Sequence, residues 1–279
     1  MRAAFNVLPI DGTVVIGEGE RDEAPMLFIG EKVGQGGVAV DIALDPLEGT
    51  TLTAKAMANA LAVMAMAEPG TMLNAPDTYM DKIAIGPGYA EGLVDLDAEP
   101  GDNINAMARA KGVRPADITA LVMDRPRHEQ LIAKIRKAGA KVKLITDGDV
   151  AGVIHTAEPK TGIDIYLGIG GAPEGVLSAA ALRCIGGQMQ TRLVLDTEEL
   201  RERTIKMGIK DPKKKYSIDD MVKGDCLFAA TGVTTGAMLD GEKFGKDVIE
   251  TDTVVMRSIT GTVRRVHAEH RQLEKFHLD

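Results

Sequence analysis

The chain has 279 residues, 44% of them hydrophobic and 27% charged, with a formal net charge of −8. That length builds one large domain or two packed lobes, and the acidic balance excludes a broad basic face for nucleic acid. No apolar run reaches membrane-spanning length, the start lacks a long apolar signal region, and Cys184 and Cys226 form no spaced framework, so a cytoplasmic protein with free buried thiols is expected.

Residues 13–16 are a β-branched run that ends in Gly17-Glu18-Gly19-Glu20, a strand end. Residues 21–33 read as a helix that takes Pro25 near its first turn. Gly34 to Gly37 make a turn, and 38–44 form the next strand, stopped by Asp45-Pro46. Residues 60–67 and 82–85 are further strands, with a loop at 74–79 between them. Beyond Gly92 helices at 104–110, 128–137, from 150 and at 174–184 alternate with strands at 118–123, 141–145 and 163–169. Residues 226–266 return to strand-like runs. The alternation predicts an α/β protein with parallel strand pairs, an α/β/α sandwich of two lobes at 1–115 and 116–279. The basic run 210–216 reads as a solvated loop.

The chemistry concentrates at Asp45-Pro46-Leu47-Glu48-Gly49-Thr50-Thr51. Asp and Glu are poor strand residues, so a cluster of them at a strand end asks for a reason. Hard divalent cations supply one, since Mg²⁺ and Mn²⁺ take carboxylate, carbonyl and water oxygens. Asp45, Glu48 and the Leu47 carbonyl converge if Pro46 turns the chain sharply, and Glu18 and Glu20 share a face if the strand persists. Two such ions would activate an attacking oxygen and stabilise a leaving one. Taken singly, Glu18 or Glu48 reads as a solvated turn residue; taken together, the acids point to a metal-assisted phosphate site. Thr50 orients the attacking water through Asp45 or Glu48, attacks phosphorus itself, or simply caps a turn. His128 is a candidate general acid, although a lone His beside Arg more often has a structural or phosphate-facing role. His267, His270 and His277 lack metal-ligand spacing and read as surface residues.

These segments also carry a resemblance. Ile16-Gly-Glu-Gly-Glu20, Asp22-Glu-Ala-Pro-Met26, Asp45-Pro-Leu-Glu-Gly-Thr50, Leu73-Asn-Ala-Pro-Asp-Thr-Tyr-Met80, Pro126-Arg-His128, Asp147-Gly-Asp149 and Gly168-Ile-Gly-Gly-Ala-Pro-Glu-Gly175 resemble class II fructose-1,6-bisphosphatase, in that family's order along nearly the whole chain. The Asp-Pro-x-Glu/Asp-Gly-Thr element alone is shared more widely, with inositol monophosphatase-like enzymes. The resemblance implies a cytosolic Mn²⁺- or Mg²⁺-dependent phosphatase that removes the 1-phosphate of fructose 1,6-bisphosphate in gluconeogenesis, with sedoheptulose 1,7-bisphosphate as a second sugar bisphosphate. It implies the sugar-phosphatase sandwich, as a homodimer or homotetramer. It assigns Glu18 to one metal, and Asp45, Glu48 and Glu174 to the other. Thr50 becomes the catalytic hydroxyl, with Glu18 and Asp45 in the catalytic set. Glu48, Gly49, Thr50, Tyr79, Arg125, Arg127, Asp147, Gly148, Asp149 and Gly171 fall where the family holds substrate. Arg125 stands where the family often has Lys, which keeps the charge and changes the geometry. The family pattern begins upstream of Met1 with a segment whose Asp completes the first metal site. Two expectations follow: an active phosphatase, or a truncated, catalytically impaired subunit that binds sugar phosphate and co-assembles with a full-length chain.

Overall fold

Alternation of small or β-branched apolar residues with partly exposed ones sets the strands that frame the molecule, as in Leu61–Ala67, where every second side chain is buried. The structure is a computed structural model describing residues 1–18, 26–206 and 208–276. Its strands are β1 (Ile10–Ile16), β2 (Lys32–Val33), β3 (Val38–Glu48), β4 (Leu61–Ala67), β5 (Tyr79–Ile85), β6 (Thr119–Met123), β7 (Lys141–Ile145), β8 (Ile165–Gly171), β9 (Gln188–Val194), β10 (Tyr216–Ser217), β11 (Cys226–Gly232), β12 (Lys243–Phe244), β13 (Ile249–Arg257) and β14 (Thr262–His270). Its α-helices are α1 (Arg2–Phe5), α2 (Thr50–Ala54), α3 (Pro100–Lys111), α4 (Glu129–Lys137), α5 (Asp149–Ile154), α6 (Ala172–Ile185), α7 (Glu198–Lys206) and α8 (Ile218–Met221).

Among the described residues the strands form two mixed sheets. One runs β12-β13-β11-β4-β3-β1-β2 with β14 on β13, and the other runs β10-β9-β5-β8-β6-β7. Helix α6 lies between them. It touches β3, β4, β11, β13 and β14 of the first sheet and β5, β8 and β9 of the second. Its sequence permits this: Gly175, Ala179, Ala180 and Ala181 are small, and the helix is buried nearly all round, as a fully enclosed helix must be. The shared core joins Val63, Ala65, Phe228 and Val254 to Met80, Tyr166 and Leu193 through Val176 and Leu177 of α6. Removing the fully buried Phe228 ring from this core would cost about 3–5 kcal/mol. On the far face of the second sheet, α3 and α4 bring Ile104, Met107, Ile132 and Ile135 against Ile83, Ile85 and Ile165. The layering is therefore sheet, helix, sheet, helix, a two-lobed α/β fold of the expected class.

Several local expectations need correction. The helix over 21–33 falls partly outside the described residues; over 26–33 there is no helix, because Leu27 takes a left-handed φ of 58° and Lys32–Val33 pairs with β1. Strand β3 does not stop at Asp45-Pro46 but runs on to Glu48. Strand β9 was not anticipated. Most pairings are antiparallel; the parallel ones are β1 with β3, and β6 with both β7 and β8. The sheets do not change over at residue 115: β5 already belongs to the second sheet, and β11–β14 return to the first. His267 and His270 lie on β14, and His277 falls outside the described residues.

Candidate active site

The C-terminal ends of β3, β6, β7 and β8, with the start of β5, open onto one pocket of about 490 Å³. Carboxyl ends of strands are where open α/β sheets commonly take ligands. At the end of β3 the register slips: Asp45 pairs with Val63 and Glu48 with Leu61, so three steps on β3 match two on β4. Such a bulge re-aims side chains, and here both acids line the pocket. The Leu47 amide donates to Asp45 Oδ1 at 2.9 Å and fixes the turn at Pro46. Glu48 is buried, and its Oε1 accepts from the Val150 amide at 3.1 Å, which seats it against the start of α5. Thr50 opens α2 at the pocket wall. The next amide, Thr51, donates to Asp147 Oδ2 at 3.3 Å and ties this turn to the loop before α5.

Asp149 opens α5 and accepts a 2.6 Å bond from Lys82 Nζ on β5. The end of β8 passes very close to two carboxylates. A Cβ added at Gly170 would lie 1.8 Å from Asp149 Oδ2, and one at Gly171 would lie 1.8 Å from Glu174 Oε2, so a side chain at either position would push a carboxylate out of its place. Arg125 and Arg127 follow β6. The Arg127 guanidinium sits 4.8 Å from the Tyr79 ring centroid and donates to the Ile169 carbonyl at 2.8 Å. That stacking and one committed donor hold a five-donor fork in place at the rim. His128 is not poised as an acid. It is 1% exposed, its Nε2 accepts from the Ile169 amide at 2.8 Å, and its Nδ1 lies 2.7 Å from the Met123 carbonyl, to which it donates. Both nitrogens are bound to backbone, and the ring fastens the arginine turn to β8.

Burial, followed by neighbouring negative charge, raises the pKa of three of these acids. Burial pushes Asp45 up to about 6 against the Leu47 amide, with the charges of Glu18, Asp147 and Asp149 adding to the rise. Glu48 is held well above the usual carboxylate range by burial, then by Asp149 and Asp45. Glu174 is pushed up to about 7 by burial and Asp149, with Lys82 opposing. Among the described residues, Glu48 Oε2 and Glu174 Oε2 are buried without a hydrogen-bond partner. Two orphaned carboxylate oxygens in a repelling cluster suit a hard divalent cation. Among the described residues, no three acidic, imidazole or thiol groups are already gathered around a single point as a finished cage.

The pocket thus brings together Glu18, Asp45, Glu48, Gly49, Thr50, Tyr79, Arg125, Arg127, Asp147, Asp149, Gly171 and Glu174. Gly148 is the exception: it lines a separate cavity of about 200 Å³ with Leu52 and His155. Glu20 lies outside the described residues. Asp77 and Thr78 also line the pocket, and Lys82 lies beneath it; none was foreseen. A lysine within the apolar run of β5 was the available signal, because a fully buried Lys requires a partner.

Fold and site define a layered α/β protein with a polar, acid-lined pocket at its strand ends. The chain belongs to the family described as bacterial fructose-1,6-bisphosphatase, glpX-encoded, whose model matches residues 1–270. It is 45% identical over 285 aligned positions to fructose-1,6-bisphosphatase 1 class 2 of Escherichia coli strain K12, covering 97% of this chain and 84% of that protein. The fructose-1,6-bisphosphatase class 2 proteins of Escherichia coli O6:H1 and Shigella flexneri match with the same identity and coverage. No helix among the described residues is long and apolar enough to cross a membrane.

Proposed function

We propose that this chain is a phosphoric monoester hydrolase that removes the 1-phosphate of fructose 1,6-bisphosphate, giving fructose 6-phosphate and phosphate in gluconeogenesis. The observation that carries the reading is one pocket lined by Glu48 and Glu174, each with a buried oxygen unpartnered among the described residues, and by Arg125 and Arg127. Glu18, Asp45, Glu48 and Glu174 would hold Mn²⁺ or Mg²⁺. When bound there, the metal supplies Lewis-acid polarisation of the phosphoryl oxygens and an acidified water. Arg125 and Arg127 grip the phosphate that does not react, through bidentate charge-assisted bonds. Asp149 and Asp147 accept hydrogen bonds from sugar hydroxyls. Tyr79 stacks under Arg127 and sets its direction. Thr50, beside Asp45 and Glu48, directs the attacking oxygen to phosphorus. Glu48 Oε1 is fixed by the Val150 amide, and Oε2, buried without a hydrogen-bond partner among the described residues, would be available to the metal.

Phosphate release at fixed Mn²⁺, compared as kcat/KM across fructose 1,6-bisphosphate, sedoheptulose 1,7-bisphosphate and an inositol monophosphate, tests the reading. The bisphosphates should lead, because only they fill both the acid cluster and the arginine rim. A preference for the monophosphate would remove the role given to Arg125 and Arg127. We also propose a homodimer or homotetramer. Its support is the exposed edge strand β14 with Val263 and Val266, which sedimentation would test.

A further inference from the structure

Lys82 is 0% exposed, and its ammonium lies 2.6 Å from Asp149 Oδ2, whose side chain is 6% exposed. Burying an ion pair is costly, so its place under an acid-lined pocket calls for an explanation. The ammonium has little freedom. A Cβ at Gly170 would lie 3.2 Å from Nζ, and one at Gly175 would lie 3.4 Å from Cε, so the side chain is wedged between the end of β8 and the start of α6. Two neighbouring acids are in the opposite condition, since Glu48 and Glu174 each keep a buried oxygen without a partner among the described residues.

We propose that Lys82 is a positioning residue that keeps Asp149 out of the metal site and reserves it for the hydroxyls of the sugar. The inference rests on the metal-dependent reading above. An oxygen already bound to a fixed ammonium is a poor ligand, because an incoming cation would meet a positive charge behind it. The same carboxylate remains a good acceptor for a neutral hydroxyl. Lys82 thereby divides one cluster of like groups into metal ligands and a substrate acceptor, which carboxylate chemistry alone does not do.

Mn²⁺ titration calorimetry on the intact chain without substrate, paired with KM for fructose 1,6-bisphosphate, tests this. Asp149→Asn should bind Mn²⁺ within about threefold of the parent, while its KM rises about tenfold. Lys82→Met should free Asp149 to join the metal and tighten Mn²⁺ binding about tenfold, a gain that vanishes in the Lys82→Met, Asp149→Asn double variant. Mn²⁺ binding weakened beyond about threefold in Asp149→Asn would make Asp149 a ligand and overturn this inference alone. Unchanged Mn²⁺ affinity in Lys82→Met, or a gain that persists in the double variant, overturns it equally. If Lys82→Met does not fold, Asp149→Asn alone decides. A parent chain that binds no Mn²⁺ overturns this inference together with the reading it rests on.

Discussion

Two groups of acids in this molecule are treated in opposite ways. At the surface, Asp97 meets Arg192 at 2.7 Å and Lys215 at 3.1 Å, and Lys215 also holds both oxygens of Asp95 at 2.8 Å. Arg192 and Lys215 hold the Asp97 carboxyl down at about 2, and Lys215 holds that of Asp95 below its usual value. In the pocket, burial and mutual repulsion push Asp45 to about 6 and Glu174 to about 7. The surface acids have their cations supplied by the chain. The pocket acids are crowded together, with Lys82 against Asp149 and, among the described residues, with an unpartnered buried oxygen on each of Glu48 and Glu174. Such an arrangement costs stability, a cost characteristic of functional sites.

The largest expected effect comes from relieving the crowding at its centre. Glu48→Gln removes the most enclosed acid, and phosphate release should fall about a hundredfold or more while the metal-free chain melts at the parental temperature or above. A destabilised, fully active variant would break the contrast. Next, Arg127→Ala should raise KM about ten- to a hundredfold with kcat little changed, because it removes binding shared by substrate and transition state. A fall in kcat alone would place Arg127 at the reacting phosphate instead.

The pH response sharpens the comparison further. In the fold Asp45 and Glu174 titrate at about 6 and about 7, above ordinary values of 3.8 and 4.5, so between those limits the folded chain holds protons that the unfolded chain has released. Their contribution to stability is fully present below the ordinary values and is lost as pH rises through 6 and 7. Bound Mn²⁺ must displace those protons, so the rise in melting temperature that it produces should grow from about pH 5.5 to about pH 8. A shift independent of pH would separate the metal from these acids. The smallest effect belongs to the surface pairs: Asp97→Asn should leave KM and Mn²⁺ affinity unchanged, and a salt-sensitive loss of stability at most.

The acid cluster at the end of β3 was legible because its parts are short and local. Asp45, Glu48 and Thr50 lie within six residues, and their bunching at a strand end is chemically expensive enough to stand out. Glu174 and Gly171 entered only through the family resemblance, because a glycine-rich strand-to-helix turn by itself does not specify a carboxylate's role. The bulge that aims Asp45 and Glu48 was not legible, because pairing with β4 holds β3 past a Pro that would end an isolated strand. Lys82 escaped notice because its partner lies 67 positions away. Strand β9 escaped because three of its four partly buried positions carry Gln or Arg rather than β-branched residues, and its packing between β5 and β10 overrides that propensity. The two-sheet division was hidden because the last strands return to the first sheet after the second is complete.

Anomalous diffraction at the manganese edge, from crystals of this chain grown with Mn²⁺, tests the central claim most directly. The account predicts manganese within bonding distance of Asp45, Glu48 and Glu174, with Asp149 still on Lys82. Manganese found only at other acidic side chains, or none in the pocket at saturating metal, would contradict it.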